Sequence, residues 1–147
     1  LAWREARIGA PLADRCAFGA FLGEALVGAV ALEFESREKT RHKATLIGMY
    51  VGEAARGQGA GRRLVEAVLA HARAREGVSV VRLTVTQGNA AARHLYESCG
   101  FVPFGVEPRA VKNEGTFHAK VHLWCDLEAT VTSGKVVDGH AVPGKSA

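Results

Sequence analysis

The residues whose types and spacing could do chemistry begin at Val51-Gly52-Glu53-Ala54-Ala55-Arg56-Gly57-Gln58-Gly59-Ala60-Gly61-Arg62-Arg63-Leu64. An apolar run ends there in a glycine-rich corner, and a helical pattern opens with basic residues in its first turn. Glycines remove the Cβ atoms that keep an anion away from backbone N–H groups, and the unpaired N–H groups of a new helix carry partial positive charge. Arg56, Arg62 and Arg63 add full charges, so the corner suits a pyrophosphate. Two common nucleotide motifs are excluded by spacing. The dinucleotide fingerprint needs a third glycine three residues after the second, where Arg62 stands. The P-loop needs Gly-Lys-Ser or Gly-Lys-Thr, whereas Gly57 and Gly59 lead to Arg62-Arg63 and Leu64-Val65.

Read as Arg56-x-x-Gly59-x-Gly61, the corner resembles the acyl-CoA signature of the GNAT superfamily of N-acetyltransferases: Gln or Arg, two residues, Gly, one residue, Gly or Ala. That family carries a second segment further along, and Asn89-Ala90-Ala91-Ala92-Arg93-His94-Leu95-Tyr96-Glu97-Ser98-Cys99-Gly100-Phe101 is similar to it, in the same order. The resemblance covers roughly Ala25 to Leu127.

It implies a mixed α/β fold: a mostly antiparallel central sheet flanked by helices, with a splayed parallel strand pair forming the acyl-CoA cleft. Acetyl-CoA, as co-substrate, would lie where Met49-Tyr50-Val51 and Leu83-Thr84-Val85 diverge. Backbone groups of Met49 and Val51 would hold the thioester and pantetheine, and the backbone of Gly57, Gln58, Gly59, Ala60, Gly61 and Arg62 the pyrophosphate. Asn89 would meet the pantetheine and Arg93 a CoA phosphate. The reaction implied is direct attack of an amine on the thioester in a ternary complex, with no covalent enzyme intermediate. Tyr96, seven residues after Asn89, matches the family's general acid for the departing thiolate.

The base is less marked. Some relatives place Glu five residues before the motif asparagine, where this chain has Thr84. Glu33 and Glu35 are the local candidates, with Glu53, His42 and His122 behind them; each is also a residue type at home on a solvated surface. His118 and His122 share a strand face but stand too far apart along it to join one metal, so no metal is expected. Cys99 reads as a buried helical cysteine.

A chain of 147 residues suits one domain with its own core. The domain is expected over residues 1–127, and residues 128–147, with three glycines and no aromatic, as a tail. Cys16, Cys99 and Cys125 lie far apart, which suggests neither a disulfide framework nor zinc and fits a reducing cytoplasm. No apolar run approaches membrane-spanning length. A net charge of +4 favours anionic partners, CoA phosphates among them, while the few aromatics are not interleaved with a basic stripe as nucleic-acid binding would ask. The expected partner is a small-molecule or protein amine. Transfer of another acyl group and a non-catalytic acyl-CoA-binding module are the alternatives.

The elements that must position these residues read as follows. Leu1 to roughly Phe21 is helical or irregular, and the usual first strand and helix of the family are expected to be missing. Gly23-Glu24 turn into a strand over Ala25–Phe34; Glu35–Lys43 is a hairpin loop, and Ala44–Val51 pairs back antiparallel. Ala60, Leu64, Val65, Val68, Leu69 and Ala72 recur at helical spacing until Gly77. Val78–Val85, rich in β-branched residues, reads as a strand covered on both sides. Asn89 caps a helix whose Ala92, Leu95, Tyr96 and Cys99 face inward and which Gly100 closes. Phe101–Phe104 is a strand, and from Phe117 to Leu127 the alternation is strict, its His122 and Trp124 face being one that a second subunit could abut in a homodimer.

Overall fold

The computed structural model describes residues 3–9, 12–129, 131–132 and 135–136. The class is the expected one, mixed α/β with strands mostly antiparallel and, among the described residues, two α-helices, and the chain divides into two compact units, residues 1–81 and 82–147.

In the first unit, β1 (Trp3–Ile8), β2 (Arg15–Leu22), β3 (Ala25–Phe34) and β4 (Lys43–Val51) form successive antiparallel neighbours. Leu22 pairs with Ala25 across Gly23-Glu24, and Gly23 supplies the φ of +60° that the two-residue hairpin turn requires. A 3-10 turn (Glu53–Ala55) leads into α1 (Ala60–Ala74), which packs on all four strands. Its Ala60, Leu64, Val65, Val68, Leu69 and Ala72 are buried, against strand residues that include Val30, Leu32, Phe34, Ala44 and Leu46. Each fully buried aliphatic side chain here is worth about 1.5–3 kcal/mol in transfer free energy. That stripe, read from its period alone, is the part of the unit the sequence states most clearly.

Trp3–Ile8 and Arg15–Leu22 correct the reading of helical or irregular chain before Ala25: both are strands. Their alternation is hidden because β1 carries arginines on its exposed positions. Arg4 lies over the Phe21 ring at 4.7 Å and Arg7 over Phe18 at 5.7 Å, so charged residues cover aromatic surface on a strand where a period-two rule looks for apolar ones.

β5 (Val80–Thr86) runs from the end of the first unit into the second, where the neighbour order is β5, β7 (Thr116–Asp126), β6 (Val102–Asn113). α2 (Ala90–Ser98) lies between β5 and β6 in the chain. β5 alternates: Val81, Leu83 and Val85 are buried while Thr84 and Thr86 are exposed, which corrects the expectation of cover on both sides. β7 keeps the expected alternation at Val121, Leu123 and Cys125, which are buried, but Phe117 is 43% exposed at its start, with the Arg109 guanidinium 4.0 Å from its ring centre. β6 is far longer than Phe101–Phe104. Pro108 and a bulge between Glu107 and Val111 interrupt its pattern, and the Glu114-Gly115 turn joins it to β7 with φ of +51° and +80°. β8 (Val131–Thr132) and β9 (Lys135–Val136) pair antiparallel within the stretch expected as tail, most of which lies outside the described residues.

Candidate active site

The corner predicted to bind an anion is built by backbone conformation. Gly57 and Gly59 adopt φ of +76° and +82°, a region side chains rarely enter, and no atom lies within 4 Å of where a Cβ would stand on either. Glycine is needed there for its torsions, not to avoid a neighbour. Gly59 is the N-cap of α1, with no side-chain cap and no acidic residue in the first turn. The first helical bond runs from Arg63 N–H to Gly59 C=O at 3.1 Å, so the N–H groups of Ala60 and Gly61 precede the first bond of the helix. An uncapped start on a helix of fifteen residues, with no acid in its first turn, leaves the partial positive charge of the helix N-terminus unopposed by its own side chains.

The side chains around it are partly committed. Arg62 pairs with Glu66 at 3.1 Å and Arg63 with Glu5 at 2.8 Å, both exposed ion pairs of small energetic weight. Arg56 donates Nε to the Val51 carbonyl at 3.2 Å, a neutral acceptor, and so keeps its full charge while tying the corner to the end of β4. Gln58 donates Nε2 to the Ala54 carbonyl at 2.9 Å, closing the loop on itself.

Just upstream, β4 departs from regular pairing. Ala29 pairs with Tyr50 and Ala31 with Ile47, so Gly48 and Met49 together oppose Val30, and Gly48 takes φ of +64°. This bulge shifts the facing of Met49, Tyr50 and Val51, the residues expected to meet the thioester arm. Tyr50 is 54% exposed, with its hydroxyl turned toward Gly52. The bulge escaped the sequence reading, although a glycine inside an apolar strand is its usual mark.

In the second unit Asn89 Oδ1 accepts from Ala92 N–H at 3.1 Å, the cap expected of it, and a pocket of about 160 Å³ beside it is lined by residues that include Val85, Gly88, Arg93 and Val121. Arg93 pairs with Glu97 at 2.9 Å. Tyr96 is the buried residue of α2, its ring edge-on to Phe101 at 5.9 Å between centres. Burial, with a smaller contribution from Cys99, pushes the Tyr96 hydroxyl up to about 12. The phenol is therefore fully protonated at neutral pH.

Glu33 is ion-paired with Arg15. Glu35 accepts from Thr40 Oγ1 at 3.4 Å and lines a cleft of about 780 Å³ with residues that include Asp14, Glu38, Arg41, His42 and Arg75. Glu53 opens the 3-10 turn. His122 Nε2 stands 3.0 Å from Glu107 Oε1, a pairing the sequence did not disclose because the bulge in β6 sets it. None of the three cysteines is in a disulfide, and among the described residues no group of three or more His, Cys, Asp and Glu could hold a metal. Nor, among them, is any helix long and apolar enough to cross a membrane.

Residues 2–101 match the family model described as acetyltransferase (GNAT) family. The chain belongs to the GNAT acetyltransferase family. Among solved structures, a GNAT-family acetyltransferase from Streptococcus pneumoniae is 29% identical with a TM-score of 0.71, over 76% of this chain and 66% of that one. The ribosomal-protein-alanine N-acetyltransferase of Brucella melitensis is 28% identical with a TM-score of 0.70, over 76% of this chain and 68% of that one. The fold is shared at 22% identity by yncA of Salmonella typhimurium, solved with its cofactor acetyl-CoA, with a TM-score of 0.71 over 80% of this chain and 68% of that one. This GNAT chain thus spans about two thirds of the length of those proteins. The family match includes the glycine corner and all of α2, the two segments singled out by their spacing.

Proposed function

We infer that this chain transfers the acetyl group of acetyl-CoA to a primary amine by direct attack, without a covalent enzyme intermediate. The observation that carries the reading is the start of α1: left-handed Gly57 and Gly59, no side-chain cap, no acid in the first turn, and a charged Arg56 tied to the Val51 carbonyl. The main chain of Gly57–Arg62 receives the diphosphate, with Met49, Tyr50 and Val51 along the thioester arm and Asn89 and Arg93 serving pantetheine and phosphate.

Tyr96 acts on the leaving group. A thiol ordinarily titrates near 8.5, so full transfer of a proton from a phenol at about 12 runs uphill by roughly 5 kcal/mol. Its contribution is therefore a hydrogen bond to the sulfur as negative charge builds there, a bond to a charged acceptor worth about 1.5–3 kcal/mol. The proton that finally rests on sulfur comes from the acceptor nitrogen once the C–N bond has formed.

Resident metal plays no part in this scheme, and the catalytic unit is taken as residues 1–127. The test is thiol release from acetyl-CoA with a panel of amines, beside calorimetry with CoA. Turnover of at least one amine, strongly reduced in Tyr96→Phe with CoA heat retained, supports the reading. CoA binding with no turnover of any amine points instead to an acyl-CoA-binding module.

A further inference from the structure

The β6–β7 hairpin of the second unit holds a strained residue for which acetyl transfer has no use. Arg109 takes φ of +52°, a left-handed conformation costly for any residue with a Cβ, at the bulge between Glu107 and Val111. Burial does not force it there, because Arg109 is exposed. Its guanidinium stands 4.0 Å from the centre of the Phe117 ring, and the Lys112 ammonium stands 5.3 Å from the same ring. Phe117 is itself 43% exposed. A cation–π contact in solvent is worth no more than the strain it has to offset, so packing within the hairpin does not account for an arginine where glycine would sit freely.

Neither cation is neutralised: among the described residues, Arg109 and Lys112 form no ion pair with a carboxylate. Lys112 pairs with Phe117 and Val106 with Val121 across the hairpin, and Phe117 and Val121, four apart on β7, share a sheet face. That face therefore carries Lys112, Phe117 and Val106, the last 56% exposed, with Arg109 over the ring. Glu107 pairs with Lys120 and its carboxylate meets His122, so this acid belongs to the opposite face. Glu114 lies in the turn, beyond the paired positions.

A guanidinium held against a ring keeps its N–H fork for a planar anion, and a carboxylate fits that fork with two bonds. Lys112 adds a point charge for a second carboxylate. In an extended peptide, side chains at alternate positions fall on one side, so two acids reach one face together. β6 stands at the end of the strand order, where an extended peptide finds open main-chain groups. A nucleic acid is a poorer match, because the guanidinium takes a place where a base would stack and two cations make no stripe along a backbone. A membrane surface asks for a cluster of about four or more basic residues. We propose that Arg109, Lys112 and Phe117 form a docking platform for an acidic peptide segment of a partner protein, two of whose carboxylates meet the guanidinium and the ammonium. The platform lies wholly in the second unit and does not depend on the acetyl-transfer reading.

The test titrates the full chain into a fluorescein-labelled hexapeptide of alternating glutamate and serine, blocked at both ends so that it offers no amine, and reads anisotropy; the matching glutamine peptide is the control. The glutamate peptide binds at least about tenfold more tightly, and the difference shrinks as salt rises. Arg109→Gly removes about tenfold of that affinity while its urea midpoint equals or exceeds the wild type's, because glycine enters the left-handed region without strain. Lys112→Gln costs about threefold. The calorimetric heat with CoA is unchanged in both variants. Equal or absent binding of the two peptides, or wild-type affinity in Arg109→Gly, overturns the proposal. So does a lowered midpoint in Arg109→Gly, since the arginine then serves the fold, and so does a loss of CoA heat, which would give the platform to a cofactor phosphate. Oligothymidylate or phosphatidylserine vesicles that displace the peptide at lower concentration than unlabelled peptide does would replace the partner by a nucleic acid or a membrane.

Discussion

The two helices begin in opposite ways. α2 opens on Asn89, whose side chain takes an orphan N–H of the first turn, a device that stabilises the helix. α1 opens on a left-handed glycine with no cap and no acid, and with arginines where a stabilised helix would carry carboxylates. The fifteen-residue helix can forgo a cap because its apolar stripe packs on four strands; the nine-residue helix buries mainly Tyr96 and needs its start secured. On the acetyl-transfer reading, the uncapped start of α1 offers its main chain to the diphosphate, while at α2 the Asn89 that caps the helix also serves the pantetheine.

The sharpest way to break this contrast is at the far end of α2, where the helix presents its phenol. Tyr96→Phe is expected to lower kcat by about 10- to 100-fold, the value of a hydrogen bond to a charged sulfur, while CoA affinity holds. Steady-state thiol release beside calorimetry checks both. The same hydroxyl makes a stability prediction. Because its folded value is raised to about 12 from an ordinary 10, the neutral phenol favours the native state below pH 10, and that contribution is lost as pH rises from 10 through 12. Denaturation series for wild type and Tyr96→Phe should diverge over that window by roughly 2–3 kcal/mol, with the wild type losing more.

Smaller effects sharpen the comparison from its two starts. Gly59→Val forces a β-branched residue into the left-handed region at a cost of about 1–2 kcal/mol, and should weaken CoA binding by about tenfold or more through the displaced amides. Asn89→Ala should cost about 1 kcal/mol of stability, read by urea midpoint, because it removes a cap. If Asn89→Ala weakened CoA more than Gly59→Val did, the proposal that the diphosphate contact at α1 outweighs the pantetheine contact at α2 would be reversed.

Much of this was legible in the residues. The stripe from Ala60 to Ala72 announces α1 because burial imposes its period, and Asn89 with Gly100 brackets α2 because caps and left-handed turns have strict chemical preferences. Gly57 and Gly59 were legible for the same reason. β1 was not, since arginines stacked on Phe18 and Phe21 erase the expected pattern. The bulge at Gly48-Met49 and the Glu107–His122 contact were illegible for a deeper cause: register between strands depends on partners distant in sequence, and one extra residue on either strand changes which side chains meet.

The most direct measurement is a calorimetric titration of the full chain with CoA and, separately, with pantetheine, which lacks the diphosphate. If the amides at the head of α1 grip that group, CoA binds at least about tenfold more tightly than pantetheine and Gly59→Val removes most of the difference. Equal affinities for the two, or no heat with CoA on folded protein, would contradict the account.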